Sequence, residues 1–310
     1  MKPALRARGI RLPFVAFADR GAGRRRRSAR RALLQVLAAV AIATLAHGAV
    51  AAPGDPSGVP IDRYPGAAAA YAVVIDGRLA WGRAIDAPRP PASLAKLLTA
   101  IVLLDRGWDP QEQIPVSATA AGMPAARLGL RAGDSLRAGD ALAALLVRSA
   151  NDACAALAEH AAGSLGAFAA RMNERAAALG MRASHFVNPC GLDAPGQQST
   201  ARDLLRLAQA ASEHPVIATA VAQRSASLAT SSGQQLRFDN GNLLLGRVDG
   251  VVGMKSGFTS NAGRCLIALA RRGTHQVWLV LLDAPDRWRV ATGILFDAFD
   301  HAVEASPAAR

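Results

Sequence analysis

Lysine is almost missing from this chain. Its 310 residues include 36 lysines and arginines; only Lys2, Lys96 and Lys255 are lysines, and the other 33 are arginines. With such a bias, an ordinary surface cation is arginine. A lysine then marks a place where arginine cannot serve. Arginine stays protonated and forked, whereas a desolvated lysine can give up its proton and act as a base. Cysteine is also scarce: Cys154, Cys190 and Cys265. None sits in a CxxC or beside a histidine, and their odd number leaves at least one unpaired within the chain. They read as small buried residues, with room for one disulfide. The six histidines form no HExxH and no repeated short spacing, so no metal site is expected. No GxGxxG and no internal repeat is present. The glycines of "GVVGMKSG" match no phosphate loop, and no cofactor is expected.

Nor is the chain basic where it works. The formal charge is +13, but residues 1–51 hold eleven basic residues against Asp19 alone, a balance of +10. That leaves +3 for residues 52–310, which excludes a strongly basic nucleic-acid binder. Residues 1–51 read as a signal peptide. "GRRRRSARR" is its basic region, "ALLQVLAAVAIATLAHGAVA" its apolar region, and "AVA" a cleavage site after Ala51. A retained anchor is the other reading. The apolar run is short for a comfortable span, and helix-breaking "APGDPSG" follows. No stable membrane anchor is expected after leader removal. Arg30–Arg31 fit a twin-arginine signal, and a general secretory signal fits equally. Either route makes the protein exported and periplasmic, where chemistry must run downhill without ATP.

Residues 52–66 read as a linker, 67–304 as the catalytic domain and 305–310 as a tail. "YAVVIDGRLAWGRAID" predicts two strands around a "DG" turn. A helix follows from Ser93 to about Asp105. Asp140 is placed to N-cap "ALAALLVRSA". Helical patterns cover about 151–162, 166–179 and 200–212, with Thr200 and Asp203 set as a capping box. "RCLIALARRG" and "HQVWLVLLDAP" predict adjacent strands, and a last helix spans about 288–302. The fold class is α/β (α+β): an antiparallel sheet flanked by helices, with a mostly helical second lobe.

Both lysines left after leader removal sit beside serine. Ser93 and Lys96 are three residues apart, so they share a helical face. The residues after them leave no polar face, so this helix is buried, and burial lowers a lysine's pKa. A neutral amine beside a hydroxyl is a nucleophile with its base. In "RSANDA", Ser149 can relay a proton and Asn151 can hold a peptide group. "KSGFT" precedes a predicted strand: Lys255 supplies positive potential, Gly257 lets a substrate backbone approach, and the Ser256 and Thr259 hydroxyls can bind a carboxylate. Taken singly, each has a plainer reading: a chance spacing, an N-cap, a turn with a surface lysine. Together and in order they form the set SxxK, SxN, K[ST]G of penicillin-binding proteins and class A β-lactamases.

With these motifs the chain resembles the low-molecular-mass penicillin-binding proteins, the D-alanyl-D-alanine carboxypeptidase and endopeptidase family of serine peptidases. The resemblance covers about residues 67–303 and includes "LGMRASHFVNPCGL", "STARDLL" and "AGRCLIAL". Ending after one helix and "EASPAAR", the chain looks most like the short, soluble endopeptidase branch. Ser256 stands where threonine is usual, and Cys190 where threonine or histidine is. The resemblance implies that Ser93 attacks a D-Ala carbonyl with Lys96 as base, and that Ser149 and Asn151 serve the leaving amine and the acyl side. It puts Lys255, Ser256, Gly257 and Thr259 around the substrate, with the N–H groups of Ser93 and Phe258 as the oxyanion hole. Arg287 or Arg289 would add a carboxylate anchor. The implied partners are peptidoglycan stem peptides, with β-lactam antibiotics as inhibitors. A β-lactamase shares the motifs but adds a glutamate in "ExxLN", and none of Glu159, Glu174 and Glu213 fits. A non-catalytic peptidoglycan-binding protein, or an esterase or amidase on the same scaffold, are further readings.

Overall fold

The computed structural model describes residues 60–305; the signal peptide, the first part of the linker and nearly all of the tail lie outside them. The chain runs β1 (Ala70–Ile75), β2 (Arg78–Arg83), a 3-10 turn (Ala92–Ala95), α1 (Lys96–Leu104), β3 (Gln113–Pro115), α2 (Ala118–Ala121) and β4 (Ser135–Arg137). It continues through α3 (Ala138–Ala143), a π turn (Ala144–Arg148), α4 (Asn151–Ala162), α5 (Leu165–Ala178), α6 (Ala201–Glu213) and α7 (Pro215–Ala222). Then come β5 (Ser225–Ala229), β6 (Gln235–Asp239), β7 (Val251–Thr259), β8 (Gly263–Arg272), β9 (His275–Leu282) and α8 (Arg287–Glu304).

The main sheet has the order β2-β1-β9-β8-β7, antiparallel throughout. Its central strands are apolar at nearly every position because both faces are covered. On β9, Trp278, Val280 and Leu282 join the core under α1 and the neighbouring helices. Val277, Leu279 and Leu281 join the other core, under Ile294, Leu295, Ala298 and Phe299 of α8. Period-2 alternation thus divides one hydrophobic run between two cores. The expected fold class is the one observed.

The predicted strand pairs, the helices of 151–162, 166–179 and 200–212 and the last helix are present, with ends that differ by up to three residues. Three details differ. Residues 60–66, read as linker, are fastened down: Arg63 Nε donates to Asp297 at 2.7 Å, and Ile61 O accepts from Gly82 N at 3.0 Å. Asp140 is not an N-cap. It lies in the first turn of α3, which begins after Arg137. The first N–H groups of that helix donate to the carbonyls of Glu112 (2.8 Å) and Pro110 (3.0 Å), so no side-chain cap is needed. Only half of the capping box forms. Thr200 Oγ1 accepts from Asp203 N at 3.1 Å, while the Asp203 carboxylate takes Ala183 N and Ser184 Oγ, both at 2.9 Å. The small pairs β3–β4 and β5–β6 and helix α7 were not anticipated; they are too short to carry a clear period.

Candidate active site

The site lies where the 3-10 turn meets the edge strand β7. Ala92 has φ +49°, a left-handed conformation that a non-glycine residue holds only when its surroundings impose it. The next residue is Ser93. One turn on, α1 begins with Lys96, which is fully buried.

Lys96 Nζ has three neighbours: Asn151 Oδ1 at 2.7 Å, the Cys190 carbonyl at 2.5 Å and Ser93 Oγ at 3.0 Å. The orientation of the Asn151 amide is fixed, because its Nδ2 donates to the Pro124 carbonyl at 3.0 Å. A neutral amine has two N–H bonds and one lone pair. Asn151 Oδ1 and Cys190 O can only accept, so they take both hydrogens and leave the lone pair facing the serine hydroxyl. Among the described residues no carboxylate pairs with Lys96. Burial first, and then the positive charge of Lys255, hold its pKa well below the ordinary lysine range.

The π turn delivers the second hydroxyl. It ends at Ser149 with φ +65°, and the buried Ser149 Oγ has no hydrogen-bond partner. Asn151 opens α4 immediately afterwards. Ser149 and Ala150 thus form a short connection between two helical segments.

Lys255, Ser256 and Gly257 lie inside β7, not before it; the strand pairs with β8 through Thr259. Lys255 is 2 % exposed, and its Nζ donates to Ser256 O at 2.9 Å. Burial, then Arg287 and Arg148, bring its pKa down to about 7. Ser256 Oγ donates to the Gly241 carbonyl at 2.8 Å. Gly257 has a closer constraint than the substrate approach expected of it. A Cβ there would stand 2.9 Å from both Ala92 Cβ and Ser93 N, so the nucleophile's own backbone occupies that space. Phe258 is exposed. Thr259 is drawn elsewhere: its hydroxyl donates to Asp193 Oδ1 at 2.6 Å, and Asp193 Oδ2 accepts from Asn261 N at 3.1 Å. Arg287 reaches β7, donating to the carbonyls of Gly257 and, at 3.3 Å, Cys265. Arg289 is solvent-exposed and pairs with Asp286 at 2.6 Å.

The segment 188–191 carries functional groups that the sequence reading missed. Thr99 Oγ1 donates to Pro189 O at 2.6 Å, and Cys190 O holds Lys96. Gly191, at φ +75°, presses so close that a Cβ would fall 1.9 Å from Ala92 O. Cys190 forms a disulfide with Cys154, which sits on α4 one turn after Asn151. The two acceptors that grip the Lys96 amine thus belong to two segments joined covalently. Cys265 is free and buried. This arrangement provides a hydroxyl nucleophile, a neutral amine base, a second hydroxyl and a second buried cation. That set suits acyl transfer through a covalent intermediate.

Comparison with known proteins agrees with this chemistry. The family model described as D-alanyl-D-alanine carboxypeptidase matches residues 61–286. The D-alanyl-D-alanine carboxypeptidase DacB2 of Mycobacterium tuberculosis is 34% identical over 231 residues, covering 74% of this chain and 78% of that protein. A D-alanyl-D-alanine endopeptidase of Pseudomonas aeruginosa is 32% identical over 261 residues, covering 82% and 83%. Among solved structures, the Streptomyces K15 DD-transpeptidase superposes with a TM-score of 0.71 at 26% identity, over 76% of this chain and 97% of that one.

Proposed function

The chain belongs to the D-alanyl-D-alanine carboxypeptidase family of serine peptidases, and from that premise we propose that it hydrolyses D-alanyl peptide bonds in peptidoglycan stem peptides or cross-links through an acyl-enzyme on Ser93. The observation that carries this reading is the Lys96 amine, buried without a carboxylate and 3.0 Å from Ser93 Oγ.

Lys96 takes the hydroxyl proton as Ser93 Oγ bonds to the D-Ala carbonyl carbon. The N–H groups of Ser93 and Phe258 stabilise the oxyanion; losing one such donor ordinarily costs about 3 kcal/mol of transition-state stabilisation. The C–N bond breaks as Ser149 passes a proton to the leaving amine. Asn151 holds both Lys96 and the acyl strand. Ser256 faces the leaving group's carboxylate, within the field of Lys255. Arg287 supports that field from behind β7. Water, deprotonated by Lys96, then bonds to the acyl carbon, and the proton passes to Ser93 Oγ as the ester bond breaks. A β-lactam enters as a substrate analogue and remains attached. The reading puts this work outside the cytoplasm, in the periplasm; among the described residues no helix is long and apolar enough to cross a membrane.

Intact-protein mass spectrometry after brief exposure to penicillin tests the nucleophile. A lasting adduct that maps to Ser93, and is absent from Ser93→Ala, is expected. Hydrolysed penicillin without an adduct would shift the reading to a β-lactamase. Intact penicillin without an adduct would shift it to a binding protein.

The acylation rate should follow a bell in pH. Lys96 must be neutral, so the rate rises with pH through its depressed pKa. Lys255 must be charged, so the rate falls as pH passes about 7. Arg287→Gln removes a positive charge that lowers the Lys255 pKa. Its descending limb should therefore move to higher pH. An unmoved limb would assign that titration to another group.

A further inference from the structure

The leaving-group end of the site is open. Gly241, whose carbonyl takes the Ser256 hydroxyl, forms the wall there. A Cβ on Gly241 would meet Ser256 Oγ at 3.2 Å and otherwise only Val147 O, at 3.9 Å. From Gly241 a cleft of about 530 Å³ runs between Arg127, Arg148 and Arg237. It shares Arg237, Asp239 and Leu243 with a second cleft of about 590 Å³, which adds Arg224 and Arg247.

Two independent features mark these clefts as built for anionic oxygens. All five guanidiniums belong to exposed residues, and among the described residues none lies within ion-pair distance of a carboxylate. Arg63, Arg83, Arg175 and Arg202 elsewhere on the surface each have one, whereas exposed Arg78, Arg131 and Arg182, like the five, have none among the described residues; what sets the five apart is their gathering in two adjoining clefts. Asp239 is the one acid lining either cleft. The second feature is Asn242, which lines the larger cleft and is only 3 % exposed. Its Oδ1 accepts from Leu244 N at 3.2 Å, but its Nδ2 is buried with no acceptor. A buried amide donor left unpaired is costly, and an acceptor oxygen removes the cost.

We infer that these clefts bind the leaving strand of a cross-linked substrate through that strand's carboxylates. The inference rests on the peptidase reading and extends it to the choice of bond. A terminal D-Ala is one residue; its carboxylate ends at Ser256 and needs nothing beyond Gly241. The leaving group of a cross-link is a diaminopimelate side chain with a second stem peptide behind it, which brings further carboxylates past Gly241. Arginine's planar fork matches a carboxylate with two parallel N–H bonds. The exposed Leu243 side chain, 42% accessible, offers the strand an apolar contact between the charges.

The test compares three substrates on the whole protein and on an Arg127→Gln/Arg237→Gln double variant: a cross-linked muropeptide dimer, the same dimer with the leaving strand's carboxylates amidated, and an uncross-linked pentapeptide. Penicillin acylation of Ser93 is followed in parallel. The double variant should raise KM for the native dimer about 10-fold, a size expected for two partly exposed charge contacts. The amidated dimer should already have the higher KM and should not respond to the variant. Pentapeptide cleavage and penicillin acylation should stay within about 2-fold, since neither substrate extends past Gly241 to these arginines. An unchanged KM for the native dimer would overturn the inference while leaving the peptidase intact. Equal losses on all substrates and on penicillin would also overturn it, placing the arginines in the fold. Failure of Ser93 to acylate in the unaltered protein would instead remove the peptidase reading beneath it.

Discussion

Lys96→Arg should lower penicillin acylation about 10³-fold, the scale of losing a general base. The substitution keeps a nitrogen-bearing side chain of similar length, so it tests the basicity of the group and not merely its reach. Guanidinium does not give up its proton at neutral pH, so it has no lone pair to offer Ser93. It also brings a charge into a place with no carboxylate. A buried unpaired ion of this kind costs about 3 kcal/mol or more, so unfolding could mask the chemical effect. Lys96→Met is the companion variant. It fills similar volume with no charge, and its main cost is the two orphaned acceptors, Asn151 Oδ1 and Cys190 O, about 1–3 kcal/mol apiece at most. Both variants should lose acylation, and Met should stay closer to the parent in thermal unfolding. A folded Lys96→Arg protein that still acylates at near-parent rate would show that the buried amine is not the base.

Much of this site could be read in the sequence because its parts are local. Ser93 and Lys96 are three residues apart, and an apolar run with no polar face announces burial. Strands β8 and β9 declare themselves by uninterrupted apolar residues. What could not be read depends on contacts between distant segments. Cys154 and Cys190 are 36 residues apart, and nothing in "NPCGL" says that its carbonyl will hold a lysine. Thr259 and Ser256 look equivalent in "KSGFT", yet one hydroxyl turns to Asp193 and the other to Gly241; the direction is set by loops that arrive from residues 193 and 241. The left-handed backbone of Ala92 is imposed by tertiary packing against Gly191 and Gly257, so residue preference at that position points the wrong way. Arg127, Arg148, Arg224, Arg237 and Arg247 are scattered through more than a hundred positions in a chain full of arginine. Only the fold brings them to two adjoining clefts.

That packing makes a single methyl group a severe perturbation. Gly257→Ala should reduce acylation about 100-fold while the protein remains folded, the loss expected when reacting groups are misplaced by up to about 1 Å. The added Cβ would begin 2.9 Å from Ala92 Cβ, 2.9 Å from Ser93 N and 3.4 Å from Leu94 N. Two of these are backbone nitrogens and the third is held by its own backbone, so no flexible side-chain end can swing aside. Either β7 moves out or the 3-10 turn moves in. Outward movement is resisted by the pairing of β7 with β8 from Val251 to Thr259 and by Arg287 on the Gly257 carbonyl. Inward movement is resisted by Gly191, already pressed against Ala92 from the other side. Overpacking of this kind costs about 1–3 kcal/mol, which a domain with two cores tolerates. The Ser93 hydroxyl and its N–H are less tolerant, because both must meet the same carbonyl. Acylation should therefore fall far more than stability does. Equal falls in rate and in folded fraction would mean that Gly257 matters only to folding, and that the close contact with Ser93 has no part in aiming the nucleophile.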